Sequence, residues 1–378
     1  MFNVADARFK EDLADAIDVL FASEQDMNYL SFVRYLPFVR GLAKSEKHEW
    51  LEDSLTAESI TLTASGGGAD WDTNNDITAL PVPSGTIARL HVGDMLKLTT
   101  GEVVRISAIN TTANTVDLTK RGHGGTTAAA QGTSAFTAYI IGNAQEEGSD
   151  PIEAQYIAPG QAYNFVQEFE DALAVSSKVQ RSVQSTMESA RAHQIALKLK
   201  RLLSQLNYAM IEGVREKIGN IATMQGARNR SSLSYNVSGS LTVAKVYTML
   251  ENQINAGASP SAFHGSVSTI SKIEQLFASY LQTTGSVRHP DLSVKSLSLL
   301  GQNIELHVDK HILSSEILAV DYSRVRYGTQ EVAGSPTGDF SVYEVASNGK
   351  QLKEHIVGLF TMEQKQAAAS VMRAYGIS

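Results

Sequence analysis

One interruption constrains the fold of this chain more than any other feature. A strand-like run, Lys47 to Leu55 (KHEWLEDSL), is cut off from a second, Tyr163 to Ser176 (YNFVQEFEDALAVS), by a self-contained β-rich stretch. A two-stranded ribbon is at best marginally stable by itself. Directly after the second run comes a proline-free helix, Lys178 to Ile218, in which Val179, Val183, Met187, Ala190, Ile195, Leu199, Leu202, Leu206, Met210, Val214 and Ile218 keep a three-or-four spacing. Unbroken, it would reach roughly 60 Å at about 1.5 Å per residue. The rest of its surface is Gln, Ser, Arg, Lys and Glu, so one stripe packs on a sheet and the other side stays open. Ribbon and helix both ask for partners outside the chain, which points to an assembly subunit before an enzyme.

The flanking segments fit that reading. From Val4 to Phe21, the residues Phe9, Leu13, Ala16, Ile17 and Leu20 repeat at helical spacing, with Asp6, Glu11, Asp12 and Asp15 supplying the early acidic bias a helix dipole favours. Asn28 to Leu42 is aromatic-rich and broken by Pro37 and Gly41, as for an arm whose apolar groups need a host. Between Thr56 and Gly142 the segments Val92 to Leu98, Gly101 to Ile109, Asn114 to Gly122 and Ser134 to Gly142 alternate or run apolar between turn residues. They predict a small antiparallel barrel with its own core (Val92, Leu96, Val104, Ile106, Val116, Leu118, Ile140), set at a hairpin tip where insertions are best tolerated.

Beyond the helix, Gly219 and the polar stretch to Ser240 read as a stop and linker. Leu241 to Leu250 and Thr269 to Leu281 predict helices, and Ile304 to Val308, Ile317 to Asp321 and Val325 to Tyr327 predict strands, together an α/β unit. Phe340 to Val345 and Leu352 to Phe360 flank an Asn348-Gly349 pair, a strong hairpin signal. Met362 to Tyr375 reads as a short terminal helix.

With 378 residues, 43% hydrophobic and 19% charged, the chain supports two or three cores. A net charge of -8 lacks the basic footprint of a nucleic-acid gripper. The absence of cysteine excludes disulfides, thiolate zinc sites and cysteine nucleophiles, and fits a reducing cytosol. The first residues lack the order of a secretory signal, and nothing approaches the roughly 18 apolar residues of a membrane span. A soluble chain made inside the cell is expected, with no membrane partner, and the sequons at Asn110, Asn229 and Asn236 read as chance matches.

The chemical motifs are weak. His307 and His311 in HVDKH have the spacing that binds zinc on a helix, but beside strand residues that spacing separates them by roughly 13 Å. Arg121-Gly122-His123-Gly124-Gly125 lacks the helix and lysine of a P-loop and reads as a turn. There is no Gly-x-Ser-x-Gly elbow, and the carboxylate pairs Glu146/Glu147 and Glu52/Asp53 read as solvated or ion-paired. No catalytic, cofactor or metal site is predicted. Trp50 is different: mid-strand in a free ribbon it would be an exposed apolar liability, whereas at an interface it is a preferred anchor; the plainer reading is packing on its own subunit. Around it Arg34, Arg40, Lys44 and Lys47 alternate with Glu46, Glu49, Glu52 and Asp53, which suits pairing between identical neighbours.

Five stretches carry a resemblance: PFVRGLAKSEKHEWLEDSL, VGDMLKLTTGEVVRISAI, TVDLTKRGHGGTTAA, NAQEEGSDP and QEFEDALAVSSKVQRSVQ. Together they resemble the branch of tailed-bacteriophage major capsid (head) proteins that carries a β-module inside its extended loop. The resemblance covers nearly the whole chain and implies an α+β fold. Its parts would be an N-terminal arm (1–42), an extended loop (43–56 and 145–176) holding an inserted small β-barrel (57–144), a peripheral spine-helix domain (177–225 and 340–378) and an axial domain (226–339). It implies hexamers and pentamers of an icosahedral shell around double-stranded DNA, with portal and scaffold or decoration proteins as further partners, and assembly in the host bacterial cytoplasm. Because the arm helix follows Met1 almost at once, a separate scaffold or none is implied. The implied subunit interface is Arg34, Arg40, Lys44, Lys47, Glu49, Trp50, Glu52, Asp53, Glu146, Glu147, Phe165 and Phe169. Two alternatives stand beside it, an encapsulin-like compartment of the same fold and an α/β hydrolase-like enzyme with a β-appendage.

Overall fold

The long helix runs from Ala190 to Glu212. Its residues Leu202, Leu206 and Met210 are at most 1% exposed, the one-sided burial its spacing predicts. It stops six residues before Ile218, because the chain turns at Gly213, where a side chain would sit 2.4 Å from the Ala209 carbonyl oxygen. Val214 and Ile218 therefore leave the stripe although they keep its period. Instead, Glu216–Ile218 and Ile221–Thr223 form a two-stranded hairpin.

The computed structural model describes residues 29–53, 59–62, 76–119, 121–128, 135–145, 147–148, 159–176, 190–278, 296–331, 339–345 and 351–378. The expected helix of Val4 to Phe21, the first turns of the expected long helix (178–189), Glu146 and the Asn348-Gly349 turn lie outside these residues. The chain forms two compact units, Met1–Glu52 with Gln161–Ser378, and Asp53–Gly160.

The first unit holds two sheets. One has five strands, in the order Phe38–Ala43, Val325–Gln330, Gln351–Gln364, Gln167–Ser176, with Ser341–Val345 also pairing to Gln351–Gln364. Phe169, Ile356, Phe360 and Met362 of this sheet share a core with Leu202, Leu206 and Met210 of the long helix. That core also takes Phe32 and Leu36, so the described part of the arm finds its host in its own subunit. The other sheet has six strands, in the order Leu233–Gly239, Val371–Ile377, Ile317–Val320, Ala262–Gly265, Gln302–Val308, Ser296–Leu299. Helices Val243–Asn255 and Val267–Ala278 bury Val246, Leu250, Ile270 and Ile273 with Phe263, Ile304 and Ile317 of that sheet.

The terminal segment departs from its expected helix. A strand continues through Gln364, the chain turns at Gln366 (φ 50), and Val371–Ile377 enters the six-stranded sheet next to its edge strand. It pairs there with Leu233–Gly239 on one side and Ile317–Val320 on the other, so ladders on both edges override the helix-favouring local composition.

The second unit is an antiparallel six-stranded sheet in the order Ser59–Leu62, Phe136–Asn143, Asp94–Leu98, Val103–Asn110, Thr115–Thr119, Ile77–Pro81. Leu62, Leu96, Val104, Ile106, Val116 and Leu118 form its own core, and Ile140 packs at the margin. Val92 does not join them; it is 41% exposed, just ahead of the strand it was expected to begin. Among the described residues no ladder joins the two outer strands, Ser59–Leu62 and Ile77–Pro81. His123–Gly125 is a short 3-10 turn with Gly122 in the left-handed region, which glycine adopts without strain.

Candidate functional site

The arm is held by a buried polar clamp. Its one-turn helix, Ser31–Tyr35, has no capping side chain on Leu30, the residue before it. Remote side chains cap it instead. Ser31 donates to Asp309 Oδ2 through both its backbone N–H and its hydroxyl, at 2.7 Å each, and the Phe32 and Val33 amides donate to Asn207 Oδ1 at 3.1 and 3.2 Å. The Asn207 amide nitrogen in turn donates to Asp309 at 3.0 Å and to His311 Nδ1 at 2.9 Å, and the His311 backbone N–H adds a 2.8 Å bond to Asp309. The orphan donors of a helix start are thus satisfied by groups from the long helix and from the loop after Val308. Ser31, Asn207 and Asp309 are fully buried, where charge-assisted bonds count most.

His264 closes the clamp. Its Nδ1 lies 2.7 Å from the Ser31 hydroxyl, whose single proton already goes to Asp309, so Nδ1 must donate. Burial favours the neutral ring, in which Nε2 accepts from the Tyr322 hydroxyl at 2.9 Å. Phe32 and His307 pack on it at 4.8 and 5.2 Å, and His307 itself stacks on Tyr35 at 3.7 Å. Burial, helped by His307, pushes the His264 pKa well below the ordinary 6.5. His307 and His311 are also lowered, chiefly by burial, against the opposing pull of Glu305 and Asp309 respectively.

The ribbon forms, and it is braced by its own subunit. Lys47–Glu52 pairs with Gly160–Phe165, and the expected single run from Tyr163 to Ser176 breaks at Val166 into two strands. Asn164 fixes that break: its side chain donates to the Gln225 and Met362 carbonyls and accepts from the Gln225 and Phe165 amides. Strand alternation then sorts the first strand by parity. On the inward face Trp50 is 8% exposed, with the Arg230 guanidinium 5.1 Å from its ring centroid and its indole N–H donating to Glu52 at 2.8 Å. Glu52 also accepts from Arg230 and from the Gln366 amide, both at 3.0 Å. His48 contacts Glu363, which also receives Arg326. Burial alone would raise the Glu363 carboxyl, but the bonds from His48 and Arg326 outweigh it and hold it at about 2.

The opposite face carries Lys47 and Glu49, paired with each other. There the Tyr163 ring is flanked by Lys47 at 4.3 Å and Arg215 at 4.0 Å, and Lys217 pairs with Glu46.

The expected interface residues therefore separate. Trp50 and Phe169 (5% exposed) are buried within the subunit. Glu52 and Phe165 are half-buried, while Arg34, Arg40, Lys44, Lys47, Glu49, Asp53 and Glu147 are exposed. Arg40 reaches Asp339 at 3.3 Å. His307 and His311 bond to Glu305 and Asn207, and among the described residues no group of three or more His, Asp or Glu is placed to hold a metal. No described helix is long and apolar enough to cross a membrane. The sequence reading missed Ser31, Asn207 and His264 altogether; the one available signal was Asn207, a poor helix former inside a long helical run.

The histidines give the clamp a pH dependence with a definite sign. A histidine near 6.5 in the unfolded chain and depressed in the fold takes up protons on unfolding, so its contribution is complete above about 6.5 and is lost as pH falls below it. Glu363 acts lower, contributing above its ordinary 4.5 and losing that contribution toward 2. Thermal melts at pH 7.5, 6 and 5 are expected to show falling stability, with a smaller fall in His264→Gln. A flat profile in the parent chain would contradict the buried neutral ring.

The family model described as SU10 major capsid protein matches residues 2–375. No curated protein matches the chain. Among solved structures it is similar to one titled Mycobacterium phage Bobi, at 12% identity and a TM-score of 0.48 over 98% of this chain and 96% of that one. The cyanophage A-1(L) capsid asymmetric unit is similar at 12% identity and 0.46, over 63% and 85%. The holo-SrpI encapsulin complex from Synechococcus elongatus PCC 7942 is similar at 12% and 0.43, over 58% and 76%.

Proposed function

The chain belongs to the SU10 major capsid protein family, and from that premise we propose how its parts divide the work of building a shell. It is a structural protein of a phage capsid, and the family match over residues 2–375 is the observation that carries this. That match also places the virus reading ahead of an encapsulin-like compartment. No observation among the described residues favours a hydrolase.

In the proposed division, copies form hexamers and pentamers that close into an icosahedral shell around double-stranded DNA. The α/β part (226–339) meets around the capsomer axis, and the long helix with its five-stranded sheet stiffens the wall. The extended loop (43–56 and 145–176) meets neighbours through the exposed charges Arg34 and Arg40 from the adjoining arm, then Lys44, Lys47, Glu49, Asp53 and Glu147, with Glu146 added from the sequence. The inserted unit is an appendage with a separate core, which the boundary at Asp53–Gly160 supports. A net charge of -8 would let packaged DNA slide past the wall, because tight binding needs many Lys and Arg contacts to phosphate. Portal and scaffold or decoration proteins complete the partner set, and assembly takes place in the host bacterial cytoplasm. Co-expression with neighbouring genes, followed by sedimentation and negative-stain microscopy, is expected to give closed shells or capsomers. A stable lone subunit under every concentration and scaffold condition would overturn the proposal.

A further inference from the structure

We propose that the hairpin Glu216–Ile218/Ile221–Thr223 is a plug that seats in a groove on a second copy of this chain; the inference rests on the capsid reading. Ile218 and Ile221 are direct cross-strand partners at the hairpin tip, 66% and 72% exposed, and Val214 at its base is 65% exposed. Single exposed apolar residues are ordinary, but a contiguous cluster marks an interaction surface. The hairpin has no third strand among the described residues, and a two-stranded hairpin gains little stability by itself.

Beside it lies a groove of about 1010 Å³ between the long helix and the edge strand Gln167–Ser176. Tyr208, itself 52% exposed, and Val214 contribute apolar surface to it; Glu168 and Glu216 add carboxylates, beside Glu170, bonded to His355, and Glu212, paired with Arg228. The groove has ample room for two isoleucine side chains.

Three observations select the occupant. Val214, Glu216 and Thr223 belong both to the hairpin region and to the groove lining, so plug and socket share one surface. A plug beside its own socket is self-complementary, which lets copies related by a rotation axis exchange hairpins reciprocally. Charge agrees: Lys217 on the hairpin strand would approach the Glu168 carboxylate of the groove, and the exposed Lys217–Glu46 pair it would disturb is worth little. The chain's own first 28 residues fit poorly, since they carry seven Asp and Glu against two Lys and Arg and would meet an acidic lining.

The test uses the full chain, which has no cysteine. Ile218→Asp/Ile221→Asp is expected to keep the parent melting curve and yet need at least about tenfold more protein to assemble, as for loss of an interface anchor. In shells of Ile221→Cys/Tyr208→Cys, a short bis-maleimide is expected to link neighbouring subunits into dimers and larger species, while neither single variant links. Normal assembly of the double aspartate variant, or a link confined within one subunit, would overturn the hairpin plug. Parent shells in the same preparations would then leave the capsid reading standing, whereas a parent chain that never assembles takes both down.

Discussion

Asp309→Ala is expected to cost the subunit roughly 4 kcal/mol and to release its arm. The carboxylate accepts from the Ser31 amide and hydroxyl, the Asn207 side chain and the His311 amide, all in a fully buried site. Deleting it strands four donors, and each unsatisfied buried group costs about 1–3 kcal/mol, with entering water recovering part of the sum. For a unit of this size a loss of about 4 kcal/mol lowers the melting temperature by roughly 8 °C. The structural signature should be local first. The Phe32 and Val33 amides, bonded to an Asn207 that Asp309 orients, should lose hydrogen-exchange protection before the sheets do. Asp309→Asn should fall in between, because it keeps the shape but offers donors where acceptors are needed. Parent-like melting together with parent-like protection at Phe32 and Val33 would refute the clamp.

The clamp was invisible in the sequence for a physical reason. Its bonds join residues 278 and 102 positions apart, and no local pattern announces that a serine in the arm, an asparagine on a helix and an aspartate in a loop will meet. What could be read was local alternation: Val104 and Ile106, and Val116 and Leu118, point inward from successive strands into one core. Periodicity misled where backbone geometry intervened. Val214 and Ile218 continue the helical spacing, but Gly213 ends the helix and turns them outward. The terminal strand Val371–Ile377 was misread because its identity depends on two partner strands distant in sequence, whereas the Glu, Gln, Lys and Ala residues just ahead of it, 363–369, favour a helix.

Trp50 is where the sequence and the fold give opposite experimental expectations. A tryptophan in a free ribbon would act only in assembly, but this one lies on the parity that faces the body, 8% exposed and beneath Arg230. Trp50→Ala is therefore expected to destabilise the unassembled subunit by about 3 kcal/mol, as for other large-to-small changes at buried aromatic sites. The loss should spread along the network, because Glu52 forfeits the indole donor while still holding Arg230 and the Gln366 amide. Leu51, on the opposite face and 66% exposed, is the control. Leu51→Asp is expected to melt with the parent chain and to act, if anywhere, on shell formation alone. Melting curves of unassembled subunits, read beside sedimentation of assembled material, separate the two faces of the ribbon. A Trp50→Ala subunit that melts with the parent yet builds no shells would mean that the indole works between copies after all, and that its packing beneath Arg230 contributes little to holding the ribbon.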